Sequence, residues 1–168
     1  MKTWLIALIA LSLFASVAVA THTQNSSELM ALAERVVSSI QSQKPDWKYQ
    51  NVEPIAGSGD VILQQWTLGD QSIRIAIVSH QSIQDATTAM SKLAREGGVS
   101  EQVRGLGDEG ITWGRGVVSF RKKNLTIDVS TTNTKPTLDS SELAKNAAEE
   151  RNVAKEFARL VADAIKDK

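Results

Sequence analysis

Hydrophobic positions along this chain fall into two rhythms, and each predicts its own kind of element. Leu29, Leu32, Ala33, Val36, Val37 and Ile40 recur at helical spacing. Asn25 with Glu28 supplies an N-cap and its reciprocal partner, and the helix must stop before Pro45. Pro45 to Gly59 reads as a loop. Val61 to Leu68 reads as a strand and Gly69-Asp70-Gln71 as a turn. Ile73, Ile75 and Ile77 then alternate with Arg74, Ala76 and Val78, which completes an antiparallel hairpin with one strongly apolar face.

Ser82 with Asp85 caps a second helix, whose inner stripe is Ala86, Met90, Leu93 and Ala94 and whose end is Gly97-Gly98. A short strand is expected around Ile111 to Trp113. Val117 to Arg121 and Leu125 to Val129 predict another hairpin, with Asn124 as the turn residue suited to the left-handed region. Asp139 with Glu142 caps a long last helix carrying Leu143, Ala147, Ala154, Phe157, Ala158, Val161 and Ile165 on one face. Lys145, Glu149, Arg151, Lys155, Arg159 and Asp163 occupy the other, a solvated pattern. The expected order is α-β-β-α-β-β-β-α. The fold class is α+β, an antiparallel sheet of about five strands with helices packed on one face. A short internal echo runs through it. Gly57-Ser58-Gly59-Asp60 precedes a strand ending at Trp66, and Gly105-Leu106-Gly107-Asp108 precedes one ending at Trp113.

The start of the chain changes the picture most. Met1-Lys2, an apolar run from Trp4 to Val19 and Ala18-Val19-Ala20 match a secretory signal peptide cut after Ala20. Residues 1–20 are then leader, 21–26 a flexible N-terminus, and 27–168 one α+β domain. The expected location is secreted or periplasmic, with no stable membrane anchor after cleavage. The chain has no Cys, so it has neither a disulfide framework nor a lipid-attachment thiol, which favours a bacterial exported protein. Basic and acidic residues balance at 19 each, and loss of Lys2 leaves 18 against 19. Nothing in that balance points to nucleic acid. Asn25-Ser26-Ser27 and Asn124-Leu125-Thr126 fit the glycan acceptor triplet, one short enough to arise by chance.

Gly105 to Gly110 fits G-x-G-x-x-G, but a strand follows it where a dinucleotide site needs a helix, and Asp108 and Glu109 would repel phosphate. Gly-Leu-Gly-Asp-Glu, then Trp113, then an apolar strand ending in Arg121-Lys122 and a second strand resembles a motif of uncharacterised bacterial exported proteins. It is also similar to the extracellular sensor domains of some mycobacterial receptor kinases and related lipoproteins. The match covers about Arg104 to Ser130. Gly110 stands where the pattern has Ala, and Lys123 where it has the hairpin Gly. The resemblance implies a small α+β domain that senses a ligand or partner, without established chemistry.

Gly105, Gly107 and Gly110 are expected as a structural turn, with Asp108 bonding to nearby backbone N–H groups. Asp108 and Glu109, as strand neighbours, should point to opposite faces and make a poor acid–base pair. They remain candidate contact residues, with Trp113 and with Trp47 and Tyr49 should the latter two lie exposed. His22 and His80 have no metal-ligand or triad context, and His80 reads as an exposed loop residue. The expected function is therefore a non-enzymatic exported domain that binds a ligand or envelope protein. No catalytic residue, cofactor or metal is expected. The rival readings are a small carboxylate-dependent hydrolase and a structural envelope protein assembling through its C-terminal helix.

Overall fold

Ile73, Ile75 and Ile77 are wholly buried, and the molecule is arranged around the side of the sheet they share. A computed structural model describes residues 27–52, 60–98, 101–133 and 140–166. Residues 1–26, Gly57 to Gly59 and Asp139 lie outside them, and with them the leader, the Asn25 and Asp139 caps, His22 and the first half of the glycine echo. Helix α1 covers 27–43. It is followed by β1 (Lys48–Val52), β2 (Val61–Leu68), β3 (Gln71–Ser79), α2 (Ile83–Glu96), β4 (Glu101–Gln102), β5 (Glu109–Trp113), β6 (Val117–Lys122), β7 (Leu125–Asn133) and α3 (Ser140–Ala164).

The fold is α+β, with a fully antiparallel sheet. It has seven strands rather than about five, in the order β1-β2-β3-β7-β6-β5-β4. The two added strands sit at the edges. β1 lies inside the stretch expected to be a loop; its residues have no clear alternation, and pairing with β2 makes it a strand. β4 is two residues pinned to Ile111 and Thr112.

The helices do not share one face. Registered residues of antiparallel neighbours point the same way. One face therefore carries Trp66, Ile73, Ile75, Ile77, Ile127, Val129, Val118 and Phe120. These pack with Leu32, Val36 and Ile40 of α1 and Ala154, Phe157, Ala158 and Val161 of α3 in one core. Each such aliphatic side chain, once fully buried, contributes roughly 1.5–3 kcal/mol. Gln64, also fully buried, ties the layers together by donating from Nε2 to the Ala33 carbonyl at 3.1 Å. Trp113, Ser119 and Asp128 point to the opposite face. There α2 covers β6 and β7, its C-cap Gly97 lying against the Trp113 ring. The sequence hides this because Val117, Val118, Ser119 and Phe120 give β6 no clean alternation, and Val118, Ser119 and Phe120 are all buried.

The echo in the sequence has a counterpart in the topology. A half-turn about a line along β7 maps β1, β2 and β3 onto β4, β5 and β6 with strand directions kept, because β3 and β6 both run antiparallel to β7. The same half-turn exchanges the faces and takes α1 to α2. Trp66 and Trp113 obey it, each closing the second strand of its unit on the face its own helix covers.

Candidate functional site

The bend before β5 does mechanical work on the neighbouring hairpin. Gly107 has φ +55, and a Cβ there would meet the Arg121 carbonyl oxygen at 2.2 Å, so only glycine allows the bend to lie this close to β6. Close approach lets the Asp108 N–H donate to the Arg121 carbonyl at 2.8 Å. The Asp108 carboxylate reaches past it to the β6–β7 turn. Its Oδ2 accepts the Lys123 backbone N–H at 2.7 Å and Arg121 Nη1 at 3.2 Å, while Lys122 Nζ lies 3.3 Å from Oδ1. The Lys123 N–H foremost, and the Lys122 and Arg121 cations behind it, hold this carboxyl below the usual Asp range. Glu109 also faces Arg121, at 3.8 Å from Nε. The two carboxylates thus converge on one guanidinium instead of pointing apart. Asp108 belongs to the bend, not to the strand, so strand alternation does not apply to it.

Gly105 (φ +79) belongs to the same bend, whereas Gly110, expected in the turn, is a buried residue of β5 paired with Phe120; an open hollow of about 260 Å³ lies between Gln102 and Gly110. Its two carboxylates are already engaged by cations. Trp113 is half-buried and donates from Nε1 to Ser119 Oγ at 2.8 Å. Ser119 in turn donates to Asp128, whose carboxyl is pushed up by burial, with the Ser119 bond opposing. Trp47 is withdrawn as a contact residue. It is 8% exposed and stands edge-on to Phe157 with ring centroids 4.8 Å apart. Tyr49 lies against Trp66 at 5.0 Å, and burial raises its phenol above the ordinary value. His80 is pinned rather than free. Its Nε2 lies 2.9 Å from Thr126 Oγ1, and its carbonyl accepts Asn124 Nδ2 at 2.8 Å.

A larger concavity lies elsewhere. A groove of about 730 Å³ runs between α1, the β6–β7 turn and the C-terminal end of α3. A second hollow of about 340 Å³ adjoins it, sharing Leu32, Arg35, Asn124 and Leu125. Leu32 and Ile165 are nearly buried along it, and Arg35, Lys122, Lys123 and Lys166 line it with a single carboxylate, Asp163. Asp163 is paired with Lys166 at 2.5 Å. The turn at its mouth holds an unusual backbone. Lys123, not Asn124, takes the left-handed region with φ +52, the one non-glycine residue with positive φ among the described residues. The signal for this groove is scattered over elements far apart in sequence, and no local motif announces it.

The apolar stripe that runs from Ala154 in α3 to Ile165 just past its end is buried in the chain's own core. No helix among the described residues is long and apolar enough to cross a membrane. Among them, too, no three His, Asp or Glu residues gather into a metal-binding group. Compared with protein-family models, curated proteins and solved structures, the chain matches none, so no catalytic family is identified.

Proposed function

We propose that this chain is an exported, non-enzymatic domain that binds a small ligand in the groove between α1, the β6–β7 turn and α3. The groove itself carries the reading. Its volume lies within the range of small-molecule sites, and it joins an apolar floor to a few polar groups at its mouth. The glycine bend acts indirectly. By clamping Lys123 through Asp108, it fixes the wall on which the ligand rests. The leader pattern of residues 1–20 supports export.

The test is retention. The protein is incubated with a small-molecule extract of spent culture medium and re-isolated by gel filtration, and what it carries is identified by mass spectrometry. Ala164→Trp fills the groove and should abolish retention in protein that still melts cooperatively. Empty wild-type protein, or equal retention by the variant, overturns the proposal.

A further inference from the structure

We infer that the proton on Asp128 governs how firmly α2 lies on the sheet. The helix is held down while this carboxyl is neutral and opens more often once it is ionised. The inference is independent of the groove.

Three side chains make the connection. Ser119 donates its one hydroxyl proton to Asp128, and its oxygen accepts Trp113 Nε1 at 2.8 Å. The Trp113 ring is thus set by a hydroxyl already committed to the carboxyl. Gly97, the C-cap of α2, sits directly on that ring, where a Cβ would meet Cε3 at 2.9 Å. Ser119 itself is wholly buried on the face that α2 covers.

The carboxyl is poorly equipped to carry charge. Asp108 has a backbone N–H and two cations as partners. Asp128 has one neutral hydroxyl. Arg121 of β6, Arg74 of β3 and Glu109 of β5 stand on its side of the sheet. Arg121 is held by Asp108 and by the Lys123 carbonyl, and Arg74 is exposed. His80, past the end of β3, lies against Thr126, two residues before Asp128. On α2 the charged groups are Asp85, Lys92, Arg95 and Glu96, all exposed. Burial therefore decides, and it favours the neutral acid, with the Ser119 bond opposing.

The helix above is the element able to respond. Of the 14 residues of α2, Ala86 and Met90 alone are buried, whereas α1 and α3 each sink a full stripe into the core. Sparsely anchored elements open below the threshold for global unfolding. Ionising Asp128 in the closed structure leaves a charge beneath the helix with one donor, and opening brings it water.

The experiment follows backbone amide exchange of the whole protein by NMR at a series of pH values, corrected for the intrinsic rate at each. The Asp128 carboxyl carbon is titrated in the same samples. Met90 and its α2 neighbours should exchange faster than Ile75 throughout. Their protection should fall by up to about tenfold per pH unit from the ordinary Asp range to the raised folded value, then level off. The levelling should coincide with the titration of the Asp128 carboxyl carbon. Asp128→Asn should abolish the fall, which separates Asp128 from His80, Glu109 and the α2 carboxylates. Protection of α2 equal to that of Ile75, protection independent of pH, or a fall that survives in Asp128→Asn overturns the inference. Should the variant not fold, the coincidence with the carboxyl titration decides alone.

Discussion

The carboxylate of Asp108 accepts the backbone N–H of Lys123 at 2.7 Å, a bond that spans fifteen residues and joins the bend before β5 to the turn after β6. Charge-assisted bonds to a backbone N–H are among the stronger single polar contacts. Asp108→Ala should therefore cost about 1 kcal/mol or more in urea unfolding at pH 7. The carboxyl titrates below its ordinary value in the folded state. Its contribution is thus present above the ordinary Asp range and is lost as pH falls through the lower folded value. The gap between wild type and variant should close in strong acid. A gap that persists there unchanged would mean that the ionised carboxylate is not what holds the turn.

Gly107→Val places a side chain against a backbone oxygen that has nowhere to go, at a φ that valine resists. Overpacking and strain together should cost more than about 2 kcal/mol in denaturant melts. A near-neutral Gly107→Val would show that the bend and β6 do not touch.

Asp128 makes the opposite pH statement. Burial raises its carboxyl, so the fold holds this proton more tightly than the unfolded chain does. The stability it contributes is complete below the ordinary Asp range and is lost as pH rises through the raised folded value. Asp128→Asn keeps an acceptor for Ser119 and removes the titration. Melts at a series of pH values should show wild type losing ground to the variant from the ordinary Asp range upward. Parallel curves would place the Asp128 carboxyl in water.

Ile75→Ala should cost about 2–5 kcal/mol, because the residue is fully buried at the centre of the core between sheet, α1 and α3. A change under about half a kcal/mol would match only a surface position.

Mass spectrometry of exported protein should give Thr21 as the first residue, since Ala18-Val19-Ala20 presents the small residues a signal peptidase reads. Mature material retaining Met1 would refute this.

Where one side chain dictates local geometry, the sequence could be read directly. Ser82 and Asp85 announce the start of α2, and the structure has Ser82 Oγ accepting the Asp85 N–H at 3.1 Å. Alternation at Ile73, Ile75 and Ile77 announces a one-sided strand, and all three are wholly buried. Where geometry depends on a distant partner, the sequence was silent. β1 exists because β2 offers an edge, and α2 chose the far face because β6 buries both of its sides. Lys123 took the strained turn position, although Asn124 is chemically better suited, because Asp108 grips the Lys123 N–H. The Gly-Leu-Gly-Asp-Glu motif was visible as a turn, but its reach to the groove wall depends on a carboxylate crossing between strands, which no linear pattern records.

The position of β7 sets a condition on how the chain is made. It is the strand both halves of the sheet lean on, paired along nine residues with β3 on one side and along six with β6 on the other. Until residues 125–133 emerge, β3 and β6 each end in an open ladder, and α3, which closes the core, follows later still. Closure therefore waits for the last third of synthesis. A polypeptide built this way has its two half-sheets made before the strand that joins them.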